Sequence, residues 1–153
     1  MRRPFLTLLA VGGACLALAS CNKEIKPSTK GCFVVSDKKL TEIAPVSMET
    51  VFTPEGFALN YFNGEPSVYV RGDDYLILYG DYKPTALKPY RLENGYYQED
   101  SSKPSASDAI TVGPMKGETE MFKVRLTRSL PAGVYLLECQ HGKGTVGFPF
   151  RVD

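Results

Sequence analysis

From Cys32 to the C-terminus, apolar residues recur at every second position in short runs, separated by turn-forming residues. No window of about 12 residues holds apolar positions at helical spacing. CFVV (32–35), SMETVF (47–52), FALNYF (57–62) and SVYV (67–70) are predicted strands. Asn63-Gly64 accepts the positive backbone angles of a type I′ turn, so 57–62 and 67–70 are expected to form a hairpin, with Pro66 at the start of its second strand. YLILY (75–79) is apolar on both faces and reads as a central strand covered on each side. PYRLE (89–93), Asn94-Gly95 and YYQE (96–99) form a second hairpin candidate, and the Ser/Pro-rich stretch 100–107 is an exposed loop.

AITV (109–112) follows as a further strand, and MFKVRLT (121–127) alternates cleanly. In it Phe122, Val124 and Leu126 are expected to face inward, with Lys123, Arg125 and Thr127 in water. VYLLEC (134–139) and VGFPFRV (146–152) close the chain; Phe148, Phe150 and Val152 share a face, and Pro149 points to an edge or a bulge. Roughly nine or ten short strands with a turn signal about every 8 to 12 residues are the pattern of an antiparallel sandwich or barrel.

The first 31 residues follow a different pattern. Met1-Arg2-Arg3 precedes an apolar run from Phe5 to Ala19, which meets polar Asn22-Lys23-Glu24 at once. That is the layout of an export signal, and the run falls short of the ~20 residues of a membrane span. Leu18-Ala19-Ser20-Cys21 resembles the lipobox of bacterial lipoproteins. The resemblance implies cleavage before Cys21, a diacylglycerol on its thiol, and often an acyl chain such as palmitate on the new amine. Two or three chains would make a stable membrane anchor. Asn22, where inner-membrane lipoproteins tend to carry aspartate, implies the outer membrane in a cell that has one. Cys15 is a poor rival, because Gly12 stands where the motif wants an aliphatic residue. Arg2-Arg3-Pro4-Phe5-Leu6 also looks like part of the twin-arginine motif, but no residue type usual before the pair is present and Thr7 replaces the lysine; an ordinary basic start is the alternative. The expected organisation is a signal peptide (1–20), a lipidated tether (21–31) and one domain (32–153).

Charge narrows the partners. The chain has 18 Lys+Arg against 17 Asp+Glu, loses two positive charges with Arg2 and Arg3, and shows no basic stripe, so no nucleic-acid partner is expected. Cys32 and Cys139 remain after processing. Outside the cytoplasm they are expected either to pair as a disulfide or to stay as two buried thiols; with one histidine at scattered spacing they match no zinc pattern.

SLPAGVYLLEC (129–139) resembles the tyrosine corner of immunoglobulin-like domains, with Gly133 two before Tyr135. The resemblance implies an Ig-like, Greek-key antiparallel β-sandwich in an all-β chain. Cys139 lies four after the tyrosine where the family has two, and there is no Trp to pack on a disulfide, so a true immunoglobulin domain is not implied.

Candidate chemistry is sparse. GKGTVG (142–147) matches G-x-G-x-x-G, but only strand-like FPFRVD follows, so the glycines read as a turn. His141, the only histidine, lies beside them with no nucleophile signature. Arg71-Gly72-Asp73 reads as a turn, and Asp73, Asp74 and Asp81 fit no calcium loop. Neither cofactor nor metal is expected. The nine tyrosines stand out: Tyr82, Tyr90, Tyr96 and Tyr97 fall in one basic-flanked stretch and form a candidate binding patch, against the alternative that they sit on half-covered strands by β-propensity. The expected function is a lipid-anchored, non-enzymatic envelope module for a protein partner. A glycan-binding module is the second reading and an envelope enzyme the third.

Overall fold

The computed structural model describes residues 23–153. The signal peptide, Cys15 and Cys21 lie outside the described residues. Among the described residues no helix is long and apolar enough to cross a membrane.

Among the described residues, eleven strands form two antiparallel sheets packed face to face. In chain order they are β1 (Gly31–Ser36), β2 (Lys39–Ile43), β3 (Glu49–Phe52), β4 (Ala58–Phe62), β5 (Tyr75–Tyr79), β6 (Lys83–Glu93), β7 (Tyr96–Glu99), β8 (Ile110–Pro114), β9 (Met121–Leu126), β10 (Gly133–His141) and β11 (Gly144–Val152). The first sheet runs β2-β1-β5-β9-β8 and the second β11-β10-β6-β7-β4-β3. The β-sandwich expected from the alternating runs is therefore what the chain forms. The Tyr135 hydroxyl donates to the Pro131 carbonyl at 2.8 Å.

Burial follows the pleat. Val34, Leu76, Leu78, Leu87, Val124, Leu137, Phe148 and Phe150 fill the space between the sheets. β5 is central, as its sequence implies: Leu76 and Leu78 face that core, while Ile77 on the opposite side is covered with Val35, Met115 and Met121. The second sheet also has an apolar outer face. There Phe62, Tyr90, Tyr97, Val134 and Leu136 make a separate core, with Val46 and Met48 packed against it. Phe62 stacks on Tyr97 with ring centroids 5.2 Å apart and tilts against Tyr90 at 5.2 Å. Gly147 lets the backbone approach this core, since a Cβ there would come within 2.7 Å of Leu136 Cδ1.

Of the two Asn-Gly hairpins, one forms. Asn94 (φ 52°) and Gly95 (φ 80°) join β6 to β7, with Glu93 opposite Tyr96. Asn63-Gly64 does not make a hairpin. β4 pairs instead with β3 through the turn at Thr53–Phe57, and with β7 on its other side. Residues 67–70 leave for the far edge of the sheet, where Val70 N–H donates to the Arg151 carbonyl and Arg151 N–H to the Val68 carbonyl, both at 2.8 Å. Burial of Val70 in the main core outweighs the local turn preference. β2 was not anticipated. Its KLTEI sequence has only two apolar residues, and its turn uses Asp37 and Lys38 at φ 48° and 61° in place of glycine.

Residues 23–30 are not a free tether. They lie along the outer side of the first sheet. Glu24 pairs with Lys123, and Lys26 with Glu118 at 2.7 Å. Lys30 Nζ sits 3.8 Å from Glu120, and Pro27 is buried. Lys123, expected in water, is accordingly half-buried, with its ammonium 4.4 Å from the Tyr75 ring centroid.

Candidate binding surface

β6 outruns its neighbour β10. Their pairing ends at Tyr90 and Val134, so Arg91–Glu93 and the paired β7, β4 and β3 project past the sandwich. Directly paired residues share a face. The register therefore puts Val51, Tyr61, Gln98, Tyr96 and Glu93 on one side of this overhang and Phe62 and Tyr97 on the other. The second side closes the outer core; the first is open. It forms a groove of about 330 Å³ lined by Val51, Tyr61, Glu93, Asn94, Tyr96 and Gln98. Tyr61 and Tyr96 meet edge to face with centroids 5.5 Å apart. The Tyr61 hydroxyl donates to the Glu49 carboxylate, and that hydrogen bond holds the phenol above its ordinary pKa.

Exposed apolar groups concentrate here. Seven large hydrophobic residues are exposed among the described residues, and five of them, Val51, Phe52, Phe57, Leu92 and Tyr96, sit on the β3–β4 and β6–β7 hairpins. Phe52 is 74% and Phe57 68% exposed, flanking the tight turn where Gly56 (φ 87°) reverses the chain. All four residues of β3 are exposed, and the strand ends its sheet with one side unpaired.

The predicted tyrosine patch does not exist as one surface. Tyr90 and Tyr97 are each 4% exposed and belong to the outer core. Burial pushes both phenols up; the Tyr97 hydroxyl also donates to Glu65 at 3.0 Å and accepts from Arg151 at 3.0 Å. Tyr82 lies elsewhere, stacked on His141 at 4.4 Å. Of the four, Tyr96 alone lines the groove on the overhang, while Tyr82 lines a separate cleft with Gly80, Lys83 and Glu120; the ring partner of Tyr96 is Tyr61, which lay outside the predicted patch. The signal was present in part: Phe52 and Phe57 bracket a Pro-Glu-Gly turn, and Val51 and Tyr61 each follow a polar residue, Thr50 and Asn60.

The other candidates have structural occupations. His141 Nδ1 is 2.8 Å from the Asp81 carbonyl oxygen, and Gly142-Lys143 turns β10 into β11, as read for the GKGTVG stretch. Arg71 is paired with Asp153 at 2.7 Å, and the Asp74 carboxylate accepts from the Arg71 N–H at 2.9 Å to close the local turn. No group of three or more metal-ligating side chains occurs among the described residues. Cys32 on β1 and Cys139 on β10 are free, buried thiols in the same inter-sheet core. Burial raises both, Cys139 to about 12, and Cys139 adds to the rise at Cys32.

One buried acid is unusual. Glu138 lies on the outer side of the second sheet, 3.6 Å from Lys88 Nζ, and accepts from the Tyr90 hydroxyl at 3.4 Å. Lys88 is shared with Glu99 at 3.3 Å. Burial raises the Glu138 carboxyl above its ordinary value despite Lys88. Its carboxylate is partnered, as is every buried side-chain polar atom among the described residues.

No protein-family model, no curated protein and no solved structure matches this chain.

Proposed function

We propose that the chain is a non-enzymatic, lipid-anchored protein of the cell envelope whose β-sandwich docks a protein partner. The anchor rests on Leu18-Ala19-Ser20-Cys21, and the outer membrane on Asn22. An Ig-like assignment is supported by the strand order. Reading β1, β5, β9 and β8 as strands A, B, E and D leaves β11, β10, β6 and β7 as G, F, C and C′, with Tyr135 at the E–F corner. The partner reading is carried by one observation: the exposed apolar residues gather on two adjacent hairpins that end in an unpaired strand. Such an edge offers backbone hydrogen bonds to an incoming extended segment, and the flanking side chains offer apolar anchors.

A photo-crosslinker at Tyr96 or Val51 in intact cells is expected to yield a discrete protein adduct that Phe52→Ser and Phe57→Ser abolish. Adducts unaffected by those changes would sink the reading. A glycan ligand is the second reading, favoured by the Tyr61–Tyr96 pair beside Glu93, Asn94 and Gln98 in the same groove. It predicts glycan binding lost in Tyr61→Ala and Tyr96→Ala but retained in Phe57→Ser. Anchoring itself is checked by radiolabelled palmitate, which is expected to enter the wild type and not Cys21→Ala.

A further inference from the structure

The segment that joins the domain to position 21 is bound to the domain along most of its length. Lys30 is fixed beside Glu120 and Gly80 at the C-terminal end of β5. Lys26 reaches Glu118 and donates to the Lys116 carbonyl at 3.3 Å, in the turn leading to β9. Glu24 then pairs with Lys123, one register step along β9, and residues 23–25 line a cleft with Val35, the Asp37-Lys38 turn and Tyr75. The strap thus crosses the outer face of the first sheet from one end of the sandwich to the other. It leaves at the end that carries the Asp37-Lys38 and Gly72–Asp74 turns.

From Glu24 back to Cys21 is three residues, a reach of at most about 10–11 Å. The β10–β11 turn lies at the other end, and nine-residue β10 spans about 30 Å between them. Resting on the anchor proposed above, we infer that the strap holds the domain upright on the bilayer. The Asp37-Lys38 and Gly72–Asp74 turns lie against the phospholipid headgroups, and the His141–Lys143 turn points away. The partner of these two turns is the lipid surface itself. Lys23, Lys38 and Lys39 stand there beside Asp37, Asp73 and Asp74, so the short leash, and not net charge, sets the orientation.

The test uses the full-length lipidated protein in phosphatidylcholine–phosphatidylglycerol vesicles. Fluorophores at Lys39→Cys or Asp73→Cys are compared with Lys143→Cys or Lys83→Cys, against lipid spin-labelled at the headgroup. Quenching is expected to be several-fold stronger at 39 and 73. Glu24→Lys should shrink that contrast, and Glu24→Lys with Lys123→Glu should restore it. Equal quenching at both ends of a protein that co-floats with the vesicles would overturn the orientation and leave the anchor standing. Failure to co-float would overturn the anchor, and the orientation with it.

Discussion

Both sheets have a covered outer face, and the covers are of opposite kinds. Over the first sheet, beside the small cluster of Val35, Ile77, Met115 and Met121, lies a strap of main chain held by the Glu24–Lys123 and Lys26–Glu118 pairs, with Tyr75 beneath the Lys123 ammonium. Over the second lies side-chain bulk, as Phe62, Tyr97 and Tyr90 pack on Leu136. Exposed or half-exposed ion pairs contribute about 0.2–1 kcal/mol each and weaken with salt, whereas apolar burial contributes about 25 cal/mol per Å² and is not screened. The strap is therefore expected to come off at smaller cost than the aromatic cover.

Phe62→Ala should show that difference at its largest. It empties the centre of the outer core and should cost about 3–5 kcal/mol, read from the urea midpoint. A cost near that of a surface change would mean the aromatic cover is dispensable, and the contrast between the faces would fail. Next comes pH. Glu138 has a raised carboxyl, so the folded state binds its proton more tightly than the unfolded chain does. Its contribution is fully present below the ordinary carboxylate value and is lost as pH rises through the raised one. Glu138→Gln should flatten that part of the stability–pH curve, and an unchanged slope would refute the assignment. Glu24 on the opposite face has the reverse sign. Lys123 holds its carboxyl low, so its contribution is present above the ordinary value and lost as pH falls through the lowered one.

Breaking the strap is expected to cost less. Glu24→Lys should lower global stability by only about 0.2–1 kcal/mol while clearly speeding hydrogen exchange over residues 24–30. High salt should reproduce that exchange in the wild type. Exchange that accelerates across the whole domain would show that the strap is integral to the fold. The smallest effect belongs to the hairpin tip. Phe57→Ser should change stability by no more than about 0.5 kcal/mol, because its ring touches water already. A larger loss would mean that the tip is packed rather than presented.

Much of the sandwich was legible because alternation and burial agree. Val124 and Phe148 are inward in the pattern and inward in the core. What escaped was set by distant partners. The same dipeptide, Asn-Gly, makes a hairpin at 94–95 and none at 63–64, since the Val70 side chain finds the main core only by leaving β4. The tyrosines were misread for a related reason. Adjacent Tyr96 and Tyr97 point to opposite faces of β7, and no local signal says that one of those faces is a second core. The strap was invisible because its polar residues resemble a solvated linker until Lys123, Glu118 and Glu120 are brought beneath them.

The two borders of the second sheet are unequal. At β11 the carbonyl and amide of Gly147 are satisfied by Val46, and those of Arg151 by Val68 and Val70, while among the described residues no strand lies alongside the free side of β3. Fibre growth by strand addition needs two sticky borders. With one blocked, two copies of this sheet could join head to head at β3 and no third could follow, so stacking through it stops at a pair.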